Sequence, residues 1–358
     1  MNQRLKVGLV GIGEVAQVVH LPTLAMLSHL YEVVSVCDVS PGALAHVQAR
    51  FNVPHATQHL EELLAQDGLD LVMVLNSDEY HAEVAVAAAA SGKHVFIEKP
   101  AALTHRDLQA IIAAQDAYGV RIMIGYMRRY ATAFVQAVQH IRAMDKILYV
   151  RVRDIIGPNA FFVEQSGAYP QRFDDVAPAQ SADRQARAAA QVHEAVGDDS
   201  RWHRPYRFLA GLGSHDLSLM REALGMPQRV LAASKAGNGM FLNALFAYEG
   251  FNVNYETGID ANARFDALIE VVGETCTLRI EYDTPYVKGL PVTLTFCETI
   301  DGIYQERKVR PTFVDPYTLE LEYLHNALTT GAPIKTDLQD AQQDLELFDL
   351  LIDALKRG

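Results

Sequence analysis

Hydrophobic positions along this chain follow two rhythms, and the change between them comes near residue 145. Before it, short, mainly apolar runs at residues 7–10, 32–37, 69–75, 94–97 and 121–125 alternate with stretches that carry helix signals. An apolar run without polar alternation predicts a strand covered on both faces. Ser40-Pro41 sets an N-cap ahead of a proline at the first helical position. The alanine-rich segment 81–90 ends before Gly92, and Thr104 with Asp107 resembles a capping box opening a helix that stops near Tyr118-Gly119. Strands alternating with helices predict parallel βαβ units in a doubly wound sheet.

Beyond the change, strand-like segments at 147–156, 229–235, 240–248, 252–257, 264–272, 276–282, 291–297 and 304–309 follow one another. Hairpin signals such as Glu249-Gly250 and Gly273-Glu274 join several of them. Two helices are expected near 316–328 and 338–355. The pattern predicts an α/β Rossmann domain over 1–125 and an α+β domain with a large, mainly antiparallel open sheet over 126–358. Residues 157–207 interrupt it: Pro158, Pro170, Pro178 and Pro205 surround a helical stretch at 179–196, then Gly197-Asp198-Asp199. A long excursion in a compact chain is more often functional than idle. An open sheet of this size commonly pairs with a second copy, so a homodimer or homotetramer is expected, which light scattering would check.

Composition narrows the class. The chain has 358 residues, 49% hydrophobic and 21% charged, an ordinary globular balance. A net charge of -13 disfavours a nucleic-acid partner, which calls for a basic face. The start mimics a signal peptide, but its apolar run is short and broken by glycines. No window nears the roughly 18 apolar residues of a membrane span, so no membrane partner is expected. Cys37, Cys276 and Cys297 lie in separate apolar runs and lack metal-ligand spacing, which suggests buried, reduced thiols of a cytoplasmic protein. His193 and His203 flank Asp198-Asp199 without a metal-binding spacing, and no metal is expected. His55 and His59 are expected to be solvated, and Glu306-Arg307-Lys308 to be an exposed strand end.

Candidate chemistry begins at the first strand. Gly11-Ile12-Gly13-Glu14-Val15-Ala16 follows it and fits G-x-G-x-x-A. Gly11 permits the tight turn, Gly13 lets backbone approach a pyrophosphate, and Ala16 allows close helix–strand packing. The helix N-terminus that follows offers amide donors to phosphate, with Glu14 and Val15 in its first turn. Asp38 ends the second strand, where a carboxylate can accept from both adenosine ribose hydroxyls and would repel a 2′-phosphate. NAD is therefore expected ahead of NADP. Glu98-Lys99-Pro100 closes the strand at 94–97, on the carboxyl edge where open parallel sheets bind ligands.

The order of these motifs carries a family resemblance. The glycine turn, Asn76-Ser77 followed by His81, the run from Ala90 to Pro100 that ends in Glu-Lys-Pro, Gly125 to Tyr130, and Gly213-Ser214-His215-Asp216-Leu217 resemble the glucose–fructose oxidoreductase / inositol dehydrogenase / rhizopine catabolism (Gfo/Idh/MocA) family. The likeness spans nearly the whole chain and is weakest over 157–207. It implies that Lys99 hydrogen-bonds the reacting hydroxyl and the nicotinamide end of the cofactor, and that His215 takes the alcohol proton. Imidazole, with an ordinary pKa near 6.5, suits that task. It further implies Asn76, Ser77, His81 and Glu98 about the cofactor, and Tyr126 and Arg128 on the substrate side. Arg153, Asp154 and Asn159 are plausible partners for a polyhydroxylated substrate.

One position departs from the family. Where its dehydrogenases commonly carry an aspartate four residues before the histidine, this chain has Gly211. Another carboxylate could substitute, among them Asp154, Asp174, Asp175, Asp198 and Asp199. Histidine and lysine could suffice for an easier reaction. Or the chain could bind a dinucleotide without turnover, as a sensor. The reading expected is an NAD-dependent oxidoreductase acting on a secondary alcohol or ketone of a sugar, cyclitol or derivative, with the non-catalytic sensor as its rival.

Overall fold

The computed structural model describes residues 3–357. The chain opens with β1 (Leu5–Val10), a π-type turn (Ala16–His20), α1 (Leu21–Met26), β2 (Tyr31–Cys37), α2 (Pro41–Phe51), β3 (His55–Thr57) and α3 (Leu60–Leu64). It continues through β4 (Leu71–Val74), α4 (His81–Ala90), β5 (His94–Glu98), α5 (His105–Tyr118) and β6 (Ile122–Gly125). Then come α6 (Thr132–Arg142), β7 (Ile147–Ile156), α7 (Asn159–Val163), α8 (Pro178–Val196), α9 (His203–Phe208) and α10 (Ser214–Leu224). Seven strands follow, β8 (Arg229–Ala236), β9 (Phe241–Ala247), β10 (Asn252–Ile259), β11 (Phe265–Gly273), β12 (Cys276–Tyr282), β13 (Thr293–Ile300) and β14 (Ile303–Val309). Two helices, α11 (Pro316–Thr330) and α12 (Leu338–Arg357), close the chain.

The chain forms two compact units. The first takes in Met1–Gly125, Ala168–Gly197 and Glu320–Leu345, and the second Tyr126–Gly167, Asp198–Leu319 and Glu346–Gly358. These are not two consecutive segments divided at residue 125, because long-range contacts and not chain order assign a segment to a core.

In the first unit six strands lie in the order β3-β2-β1-β4-β5-β6, all parallel. The order reverses between β1 and β4, which opens the ligand crevice of a doubly wound sheet at their carboxyl ends. Every residue of β4 is buried, as its uninterrupted apolar run requires. The capping signals operate as written: Ser40 Oγ accepts from Ala43 N and Thr104 Oγ1 from Asp107 N, while Gly119 ends α5 at φ 65°. β3 went unforeseen, since its three residues carry no apolar run. His55 begins it, and both His55 and His59 are exposed.

The excursion joins this unit through polar contacts. Asp183 accepts from Tyr80 Oη at 2.7 Å, Arg187 reaches Glu83 at 2.6 Å, and Gln191 donates to the Glu79 carbonyl at 3.0 Å. Val192 and Val196 are the buried residues of α8 itself.

The second unit holds eight strands in the order β14-β13-β12-β11-β7-β10-β9-β8. All its pairings are antiparallel except β10 with β7. Cys37 is buried, but Cys276 and Cys297 are only partly covered, because they face each other's strands toward one end of the β12–β13 ladder. β14 is exposed through Glu306, Arg307 and Lys308. Among the described residues no helix is long and apolar enough to cross a membrane.

Candidate active site

The glycine turn after β1 is held by its neighbours. Gly11 N donates to the Cys37 carbonyl at 2.8 Å, and Ile12 N donates to Asp38 Oδ2 at 2.8 Å. Gly11 sits at φ +86°, and a Cβ there would come within 2.4 Å of the Asn76 backbone, so only glycine fits. Gly13 is exposed, with open space where its Cβ would project, and Ala16 is fully buried against the sheet. Glu14 and Val15 are half-buried. Asp38 uses its other oxygen to accept from Ser40 N at 2.9 Å, which orients the carboxylate at the end of β2. Asn76 Oδ1 is buried without a hydrogen-bond partner. An open glycine backbone, a helix start, an oriented carboxylate and an unsatisfied amide oxygen fit the pyrophosphate and ribose of a dinucleotide.

The loops after β4 and β5 are tied together. His81 places Nδ1 2.8 Å from the Pro100 carbonyl and Nε2 3.0 Å from the Asn76 carbonyl, so its part is to hold two loops in register. Ser77, half-buried, precedes the short turn Asp78–Tyr80. Lys99 is half-buried, and its backbone N donates to Glu98 Oε2 at 3.2 Å. Glu98 is buried, with His20 Nε2 at 2.7 Å from its Oε1. Burial alone would raise this carboxyl, but the His20 hydrogen bond and the charges of His20 and Lys99 outweigh it and hold it below the usual carboxylate range. Sequence reasoning missed His20. Its signal was the spacing of four from Ala16, which puts both residues on one helix face toward the sheet.

In the second unit His215 is the second residue of α10, half-buried, directly after the π-type turn Leu209–Gly213. Gly211, in that turn, is exposed and a Cβ there would meet nothing within 4 Å. Room for the family's carboxylate exists; only the residue differs.

Several expected substrate contacts are used internally. Arg128 is 3% exposed, with Nη1 3.0 Å from Asp154 Oδ2 and in contact with Asp216 Oδ1. Its guanidinium also lies over the rings of Phe265 and Tyr282, at 5.4 and 5.6 Å. Asp154 is fully buried, so neither residue presents the exposed polar head that a substrate contact needs. Burial and the neighbouring Asp154 push Asp216 well above the usual carboxylate range despite the arginine. Arg153 is one residue along β7 and therefore faces the other way. It pairs with Glu256 at 2.6 Å and Asp266 at 2.7 Å. Asn159 is exposed at the start of α7, and Tyr126 is buried beneath the Arg129 guanidinium. Of the other carboxylates considered, Asp175 bonds Ser40 and Gly42, and Asp199 bonds Arg201 and Trp202.

Comparison with known proteins agrees with this geometry. Residues 5–126 match the GFO_IDH_MocA profile, described as an oxidoreductase family with an NAD-binding Rossmann fold. The chain is similar to an inositol 2-dehydrogenase of Salmonella paratyphi B, 38% identical over 134 residues that span 37% of this chain and only 40% of the relative. Inositol 2-dehydrogenase 3 of Saccharopolyspora erythraea is 25% identical over 99% of this chain and 94% of its own length. In fold the chain is similar to an aldose–aldose oxidoreductase of Caulobacter crescentus, with a TM-score of 0.75 and 19% identity over 99% of this chain and 98% of that one. The match covers residues 5–126, so it is this segment that is similar to the NAD-binding Rossmann domain of the Gfo/Idh/MocA oxidoreductases.

Proposed function

We propose that this protein is an NAD-dependent dehydrogenase acting on a secondary alcohol of a sugar, cyclitol or related polyol, with Lys99 and His215 as its reacting groups. The observation that carries the reading is the cradle itself: Gly11 fixed against Asn76, and Asp38 oriented by Ile12 N and Ser40 N. A carboxylate so placed suits the unsubstituted ribose of NAD. When bound, the nicotinamide accepts the hydride that leaves the carbinol carbon. His215 then takes the hydroxyl proton, so that charge balances as the carbonyl forms. The Lys99 ammonium is the group suited to stabilising negative charge as it develops on a reacting oxygen. Glu98, anchored to His20, keeps the backbone at Lys99 in place. Polyol substrates bring many hydroxyls, which favour a site of fixed polar groups over an apolar one.

The non-catalytic reading rests on Gly211, which leaves His215 without the carboxylate one turn earlier. A screen decides between them. Reduction of NAD is followed with a panel of sugars, cyclitols and sugar acids for the wild type and for Lys99→Ala and His215→Asn. The dehydrogenase reading expects turnover on at least one polyol, falling about a hundredfold or more in each variant. Tight NADH binding with no turnover anywhere on the panel would favour the sensor.

A further inference from the structure

We propose that Asp175 is a second cofactor-selecting residue, carried by the segment 168–177 onto the ribose end of the dinucleotide site, where it joins Asp38 in excluding NADP. The inference rests on the reading above that this cradle takes a dinucleotide.

In a doubly wound fold the adenosine ribose sits past the end of the second strand. A 2′-phosphate on that ribose must find donors in the turn from that strand to the next helix. Here the donors of that turn are taken. Ser40 Oγ donates to Asp175 Oδ1 at 2.5 Å and Gly42 N donates to Asp175 Oδ2 at 2.6 Å. The same Ser40 offers its backbone N to Asp38 Oδ1 at 2.9 Å, so one serine bridges two carboxylates. A phosphate arriving at this turn would displace Asp175 from both donors and then meet two negative charges. The hydrogen bonds from Ser40 and Gly42 hold the Asp175 carboxyl below the usual carboxylate range, which keeps it anionic at neutral pH.

The segment that delivers Asp175 is fastened on both sides of it. Gln171 exchanges two hydrogen bonds with the Gln17 side chain, at 2.9 and 3.1 Å, and Arg172 pairs with Glu14 at 2.5 Å. Gln17 and Glu14 belong to the helix start that follows the glycine turn. Phe173 lies over Gly42 so closely that a Cβ there would come within 2.5 Å of its ring. Glycine at 42 is therefore what lets the segment approach. Beyond Asp175, α8 is fixed to Glu79, Tyr80 and Glu83. The excursion thus touches the pyrophosphate end, through Glu14 and Gln17, and the ribose end, through Ser40 and Gly42.

The bland alternative is that Asp175 merely caps α2 from a distance. Titration of NADH and NADPH by nicotinamide fluorescence separates the two, using the wild type, Asp175→Asn and Asp175→Ser. Selection predicts that the ratio of the NADPH to the NADH dissociation constant is large in the wild type and falls about tenfold when the charge is removed. Asparagine keeps the shape and an acceptor oxygen, so a capping role would shift thermal stability and leave the ratio within twofold, which overturns the proposal. Should Asp175→Asn fail to fold, Arg172→Ala loosens the same segment at Glu14 and must move the ratio in the same direction; an unchanged ratio there overturns the proposal equally. The readout is binding, so absence of turnover on every polyol would defeat the dehydrogenase reading and leave this one standing. Failure to bind either dinucleotide would overturn both.

Discussion

His20 and Glu98 show what a single buried contact does for the cofactor edge. The imidazole is fully buried, the carboxylate nearly so, and they meet at 2.7 Å directly before Lys99 in the chain. Removing one partner of such a pair leaves the other uncompensated, at a cost of about 3–5 kcal/mol. His20→Leu should therefore lower the unfolding free energy obtained from urea denaturation by that amount, and a change below about 1 kcal/mol would show the pair to be incidental. The pH dependence has a definite sign. Glu98 is depressed in the folded state, so its contribution is present above the ordinary carboxylate value of 4.5 and disappears as pH falls through the lower folded value. Gly211 is the opposite kind of residue, one whose meaning lies in what is absent: space for a carboxylate, and none supplied.

At the scale of elements, the Arg128 cluster joins the turn after β6 to β7 and α10. One guanidinium stands between two carboxylates, Asp154 on β7 and Asp216 on α10, with Tyr282 of β12 donating to the Arg128 carbonyl at 3.0 Å. Burial and the neighbouring Asp154 disfavour the charged form of Asp216. Its stabilising contribution is complete below the ordinary value of 3.8 and is lost as pH rises through the raised folded value. The two substitutions should differ accordingly. Arg128→Met takes the cation from between two buried carboxyls and is expected to cost about 3–5 kcal/mol, whereas Asp216→Asn removes a charge that burial already disfavours and is expected to cost about 1 kcal/mol. Equal losses in urea denaturation at pH 7 would refute this account. Asp154 was singled out in advance, as a carboxylate that could replace the one absent at Gly211 or meet a polyhydroxylated substrate. That it would be consumed by Arg128 was not legible, because a residue of the turn after β6 and one of β7 meet only through tertiary packing.

For the whole molecule the decisive fact is discontinuity. Residues 320–345 close the first unit although nearly 200 residues separate them from β6: Ile124 N donates to the Thr336 carbonyl at 2.8 Å, Thr336 Oγ1 donates back to the Ile124 carbonyl at 2.8 Å, and Tyr31 Oη donates to the Leu321 carbonyl at 2.6 Å. Arg121 adds contacts to the Ala327 and Ala332 carbonyls. A fragment of residues 1–125 carries the whole parallel sheet, yet it loses these partners and leaves the buried Tyr31 hydroxyl unsatisfied. It is expected to unfold at a clearly lower urea concentration than the intact chain, or to aggregate; an unchanged midpoint would show that the later segments add nothing.

The sequence by itself determined the features that depend on near neighbours. Strand and helix rhythm, the caps at Ser40 and Thr104, the glycine turn and Asp38 all act over a few residues, so their patterns survive in one dimension. Only tertiary structure decided which distant groups share a place. Asp175 reaches Ser40 across 135 positions and Tyr31 reaches Leu321 across 290, and no local periodicity encodes such a meeting. The excursion was recognisable as unusual from its prolines, but its destination was not. Its route is set by polar groups at the start of α2 and on the helix start after the glycine turn, which come from separate parts of the chain.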